Sequence, residues 1–194
     1  MKVLVACEFS GIVRDAFRAK GHDAWSCDII PASEPSKYHL VEDALNVIHW
    51  ANWDLMIAHP PCTHLSVSGT RWFKDKPAHL QKDALSFVQA LMDADIEHIC
   101  IENPVSVISS KIRKPDQYIQ PYEYGHNTRK KTGLWLKNLP LLEPTNIVEP
   151  DLITYSNGKT FSADYGVGFG TKHGKRRSTF YSGIAAAMAE QWNH

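Results

Sequence analysis

The chain is poor in cysteine, carries no net charge and has no long hydrophobic run. Each absence removes a class of protein. Only four cysteines occur in 194 residues, at positions 7, 27, 62 and 100, and no two form a Cys-x-x-Cys pair. Neither a disulfide framework nor a cysteine-rich zinc module is expected. No apolar stretch approaches the roughly 18 residues of a membrane-spanning helix. The segment Met1-Lys2-Val3-Leu4-Val5-Ala6-Cys7-Glu8 turns acidic too soon for a secretory signal. The expectation is a cytoplasmic protein without membrane contact. Lysine plus arginine equals aspartate plus glutamate at 21 each, so no overall basic field draws the chain to nucleic acid. Heptads and internal repeats are also missing.

What is present is a globular composition, 43% hydrophobic, at a length that supports one domain with a full core. The first hundred residues alternate strand and helix patterns. Strands are expected at Lys2–Cys7, Asp23–Ile29, Leu55–Ala58 and His98–Ile101, with a short strand or turn within Val41–Asn46. Helices are expected at Gly11–Lys20, Val47–Trp50 and Pro77–Ala94, where apolar residues recur at helical spacing. Alternation of this kind predicts an α/β fold with a doubly wound, mostly parallel sheet. From Ile112 to Asn127 prolines, tyrosines and polar residues predict loop, and Thr132–Lys137 reads as a strand. Glycine and basic residues from Ser156 to Thr179 predict a loop. Ser182–Trp192 reads as a closing helix with Ser182 as its N-cap. The whole chain, 1–194, is expected to be one domain: a core over 1–110, a loop-rich basic region over 111–180 and the closing helix over 181–194.

The chemistry-bearing segment is 59–69, His-Pro-Pro-Cys-Thr-His-Leu-Ser-Val-Ser-Gly, followed forty residues later by Ile-Glu-Asn-Pro at 101–104. Each follows a strand-type run, so Cys62 and Glu102 are both expected just past strand ends, where open α/β sheets bind ligands. A thiolate beside a carboxylic acid suits attack on an electron-poor ring: sulfur adds to carbon while the acid protonates a ring nitrogen. Pro60 and Pro61 stiffen the backbone that presents the sulfur. Cys7, Cys27 and Cys100 lie in apolar runs and read as core residues. His59, His64 and His79 lie nearby without a tight ligand set, so no metal is expected.

Pro60-Pro61-Cys62 with Ser66 and Gly69, then Glu102-Asn103-Pro104, then Phe9-Ser10-Gly11, together resemble three motifs of the DNA cytosine-5 methyltransferase family. They are collinear with that family over the first 110 residues. The resemblance implies the Rossmann-like fold of S-adenosylmethionine-dependent methyltransferases. It implies S-adenosyl-L-methionine as cofactor and methyl transfer to cytosine C5 in DNA. Cys62 would attack C6, Glu102 would protonate N3, and Pro61 and Asn103 would shape the catalytic loop. Burial would raise the Glu102 pKa and keep it protonated. Phe9, Ser10, Gly11, Pro60, Asp28 and Asp43 would hold the cofactor, Asp28 by the ribose hydroxyls and Asp43 by the adenine amino group. Ser66, Arg71, Arg129 and Lys130 would meet the substrate. Val13 and Arg14 replace glycines of the family pattern, and Pro104 replaces its valine.

Members of that family acting on duplexes usually carry a sizeable recognition domain before the last helix. Residues 138–180 offer too little regular structure for one. The chain is in this respect similar to the methyltransferase-like proteins of phages and prophages, in which genome modification evades restriction. Expected partners are DNA, single- or double-stranded, and a second copy or partner protein supplying recognition. Two alternatives stand beside this reading. One is a C5-modifying enzyme acting on free cytosine nucleotides. The other is a non-catalytic nucleic-acid-binding or anti-restriction protein with the same fold.

Overall fold

The computed structural model describes residues 1–67, 77–154, 156, 158, 160–162 and 180–193. Its strands are β1 (Lys2–Ala6), β2 (Asp23–Asp28), β3 (His39–Val41), β4 (Leu55–Ala58), β5 (His98–Pro104), β6 (Gln117–Ile119) and β7 (Thr132–Lys137). They form one seven-stranded sheet in the order β3-β2-β1-β4-β5-β7-β6. Strands β1 to β5 are parallel, and β7 runs antiparallel to both of its neighbours. Val3 to Ala6 and Leu55 to Ala58 are wholly buried. Both faces of β1 and β4 are therefore covered, which is why they read as unbroken apolar runs.

The helices are α1 (Ile12–Ala19), α2 (Ala44–Val47), α3 (Ala78–Met92), α4 (Ile108–Lys111) and α5 (Ser182–Gln191). Successive strand residues point to opposite faces, so the core has two halves. On one face Val13 and Phe17 of α1 and Ile184, Ala185 and Met188 of α5 pack on Val3, Val5, Ile57 and Cys100. On the other Ala44, Val47, Val88, Leu91 and Ile108 pack on Leu4, Met56, Ile99 and Ile101. The chain winds outward from β1 to β3, then returns to β4 on the other side. The reversal places a crevice between the carboxyl ends of β1 and β4.

Several elements differ from the sequence expectation, for identifiable reasons. Helix α2 begins earlier than expected because the Asp43 carboxylate caps it by accepting the Leu45 N–H at 2.9 Å, and β3 begins earlier because it pairs with β2 from Ser26↔His39 onward. Strand β5 continues to Pro104 because β7 pairs along it from Ile99↔Lys137 to Pro104↔Thr132. Glu102 thus lies within a strand and not beyond one. Strand β6 falls in a stretch read as loop. Tyr181, not Ser182, is the N-cap residue of α5. Residues 160–162, expected in a loop, form β9 (Thr160–Ser162) in a hairpin with β8 (Leu152–Thr154). The rest of that stretch lies largely outside the described residues. Among the described residues no helix is long and apolar enough to cross a membrane.

Candidate active site at the carboxyl edge of the sheet

Strand β4 stops where Pro60 and Pro61 leave no N–H to continue a ladder. Cys62 then opens a single 3-10 turn, Cys62–His64, and is exposed. Its carbonyl accepts the N–H groups of Leu65 at 3.0 Å and Ser66 at 2.9 Å, and Leu65 is wholly buried as the anchor of the turn. Beyond it the chain is laced to the loop that follows β5. Val107 N–H donates to the Leu65 carbonyl at 2.9 Å, and Val67 N–H to the Val105 carbonyl at 3.0 Å, around a Ser66↔Ser106 bridge. Asn103, 1% exposed, donates from Nδ2 to the Pro60 carbonyl at 2.8 Å. The loop bearing the thiol is thus tied twice to the segment bearing the carboxylate.

Glu102 is buried on the α1/α5 side of β5, one residue beyond the last pairing of β5 with β4 at Ala58↔Ile101. The space left on the β4 side is taken by His59, whose Nδ1 lies 3.0 Å from Glu102 Oε2. This neighbourhood corrects one expectation. Burial does push the Glu102 pKa upward, and it is the largest single influence. The His59 hydrogen bond and charge, then Lys130 and the Thr132 hydroxyl, together outweigh it and hold the carboxyl below its ordinary value. Glu102 is therefore a carboxylate at neutral pH. The opposite balance holds at Glu8, at the end of β1. Burial raises its pKa, against the opposing influence of His59 and of the Val13 and Arg14 amides.

The loop after β1 also has its own explanation. Glu8 Oε1 accepts the Val13 N–H at 2.7 Å and Oε2 the Arg14 N–H at 3.2 Å, so a carboxylate of the chain already caps α1. The Ser10 hydroxyl donates to Glu8 Oε1 at 3.2 Å, and the Phe9 carbonyl accepts the Ser33 N–H at 2.9 Å. Gly11 has φ +75°, and a Cβ there would stand 2.2 Å from Arg14 Nη2. The glycine is needed to admit this buried arginine, which also bonds Ser26 Oγ at 3.0 Å. The amino end of α1 is therefore occupied by the chain itself.

A nucleoside would fit better one strand further out. Asp28, half-buried, ends β2 and accepts the Ile30 N–H at 3.2 Å. Next to it Ile29 is 75% exposed, and across the strand pair Val41 is 58% exposed. Carboxylate and bare aliphatic side chains at one sheet edge suit a ribose diol and a flat base. Asp43, exposed, caps α2 from the same edge. Pro60 is buried behind the Cys62 turn, and Pro61 is exposed.

Of the expected substrate contacts, Arg71 lies outside the described residues. Ser66 sits in the turn beside Cys62. Arg129 is exposed, with its N–H bonded to Ser162 Oγ at 3.1 Å. Lys130 is half-buried, faces Glu102 with its charge, and stands 5.7 Å from the Tyr181 ring. A groove of about 410 Å³ between α3 and α4, lined by Gln81, Leu85, Lys111 and Ile112, holds none of these groups. The residues overlooked in the sequence are His59 as a partner of Glu102, Glu8 as a helix cap, and Ile29. The first two had a legible signal, since each directly adjoins a quoted motif.

No family model matches the chain, and no curated protein matches it. Among solved structures the chain is similar to a crystal structure of a proposed DNA modification methyltransferase encoded within a prophage of E. coli. The identity is 15% and the TM-score 0.52, over 76% of this chain and 51% of that one. The fold is Rossmann-like. The described chain spans about half the length of that structure, and the likeness at this identity concerns fold alone.

Proposed function

We propose that this chain transfers a methyl group from S-adenosyl-L-methionine to cytosine C5 in DNA, through a covalent adduct with Cys62. The observation that carries the reading is the double tie between the exposed Cys62 turn and the segment after Glu102, at the sheet's switch point. In this reading the Cys62 sulfur bonds to ring C6 while Glu102 supplies a proton to N3. The C5–C6 double-bond electrons are released toward C5, which becomes nucleophilic. Once C5 carries the methyl group, loss of the C5 proton to a base expels the sulfur as thiolate and restores the C5–C6 double bond, and N3 returns its proton to Glu102. S-adenosylmethionine, when bound, supplies an electrophilic methyl group. Asp28 and Ile29 would hold its ribose and adenine, with Phe9, Ser10, Gly11, Pro60 and Asp43 around them. Asn103 and Pro61 hold the loop in shape, and Ser66, Arg71, Arg129 and Lys130 would line the path of the substrate.

One observation favours a second reading. Glu8 and Arg14 fill the amino end of α1, which suits a nucleic-acid-binding protein of this fold that has given up the cofactor. A trapping experiment separates the two. Wild type and Cys62→Ala are incubated with S-adenosylmethionine and DNA carrying 5-fluorocytosine, then denatured and weighed by mass spectrometry. The expected result is an adduct of protein, DNA and one methyl group with wild type, and none with Cys62→Ala. DNA binding without cofactor binding or adduct would favour the second reading.

A further inference from the structure

We propose that His59 is a positioning residue of this reaction: its Nδ1–H holds the Glu102 carboxylate and sets how readily Glu102 takes and gives the proton that N3 receives. This rests on the methyl-transfer reading above and goes beyond it. A histidine here is not demanded by the turn that presents Cys62. Its geometry points to the carboxylate. The His59 N–H donates to the Ala6 carbonyl at 2.9 Å, which fixes the backbone at the end of β4. The side chain is 12% exposed, with Nδ1 3.0 Å from Glu102 Oε2. The ring lies against Phe180, with centroids 4.6 Å apart and planes at 51°. Ring position and direction are thus set from three sides. Nε2 is buried without a partner among the described residues.

The chemistry follows from the donor count. Cytosine N3 is an acceptor, and a bare carboxylate has nothing to give it. Glu102, a carboxylate in the free protein, must therefore first take up a proton from solvent, on the oxygen away from His59, as the base binds. When that proton moves to N3, a buried carboxylate is left behind, which is costly unless a donor is already in place. Nδ1–H on Oε2 is that donor. It lowers the cost of giving the proton away, while burial makes the proton easier to take up. The other groups acting on the pair are Lys130 and Thr132 from the β7 side, Glu8 with Arg14 from the β1 end, and Cys100 on β5 itself. Cys62 follows on the same loop. Removing His59 leaves only the Lys130 charge and the Thr132 hydroxyl against burial, the largest single influence, and burial then dominates.

The test reads proton occupancy directly and the reaction separately. Carbon-13 carboxyl NMR follows Glu102 in wild type and His59→Gln, and nitrogen-15 imidazole NMR follows His59 in wild type and Glu102→Gln. Adduct formation on 5-fluorocytosine DNA is then measured against pH in wild type and His59→Gln. We expect Glu102 to titrate at least one pH unit higher in His59→Gln, and the His59 Nδ1 signal to lose its hydrogen-bond shift in Glu102→Gln. The alkaline limb of the adduct rate should move upward with Glu102, with at least a tenfold slower maximum. An unmoved Glu102 titration, or a slower rate with an unmoved limb, would overturn the proposal. If His59→Gln does not fold, the Glu102→Gln spectrum decides, and an unmoved His59 overturns it. Shifted titrations in a protein that forms no adduct would instead sink the methyl-transfer reading, and with it any part of His59 in a reaction.

Discussion

At the scale of single residues, two glycines resist substitution for different reasons, one for close packing and one for its backbone conformation. A Cβ at Gly183 would lie 1.9 Å from the Tyr124 carbonyl oxygen, a backbone atom that cannot turn aside. Gly183→Ala is expected to cost about 2–3 kcal/mol in urea denaturation, by forcing α5 off the sheet. At Gly11 the clash is with the side chain of Arg14 and adds to the strain of a positive φ, while no backbone atom blocks the site, so α1 should stay in place. The two buried carboxylates act on stability in opposite senses. Glu102, whose pKa is lowered, contributes stability above its unfolded value of 4.5 that is lost as pH falls through the native value. Glu8, whose pKa is raised, contributes stability below 4.5 that is lost as pH rises through its native value.

At the scale of elements, α5 depends on a histidine. His126 Nε2 accepts the Gly183 N–H at 2.9 Å, at the first turn of a helix whose N-cap makes no side-chain bond. Burial lowers the His126 pKa from its ordinary 6.5, so the native state keeps the ring neutral where the unfolded chain would charge it. Stability is then intact above pH 6.5 and falls as pH drops below it, until the native value is passed. The melting temperature followed by circular dichroism should fall between pH 7.5 and 5.5, and less steeply in His126→Gln. His22 titrates in the same direction, through burial and the Met1 ammonium, so part of the slope should survive that substitution. The same scale shows what a linear reading can reach. Strands β1 and β4 were legible because burial on both faces writes itself as unbroken apolar residues. Strand β6 was not, because Gln117-Tyr118-Ile119 is an edge strand whose partner lies in β7. The length of β5 was hidden for the same reason. The charge of Glu102 was misjudged because burial is a local inference, whereas its partner His59 is 43 positions away.

At the scale of the whole molecule, strands are added outward from β1, first through β2 to β3 and then through β4 to β5. The next strand in the sheet, β7, comes after β6, and one face waits for α5 at Ser182–Gln191. A fragment ending at residue 131 would carry the Cys62 turn and Glu102 but leave β5 bare along one side. Such a fragment should aggregate in sedimentation velocity runs, where the full chain sediments as a discrete species. The antiparallel insertion of β7 therefore has a consequence for biosynthesis. On the ribosome the local bonds of the Cys62 turn can form soon after it emerges, while the strand bearing Glu102 keeps an unpaired edge until Lys137 is out. The last helix adds a further delay of about ten seconds or less at ordinary translation speeds. During that interval the nascent chain holds the exposed Cys62 beside an unpaired sheet margin, so a chaperone that shields strand edges would matter more to its yield than one that shields helices.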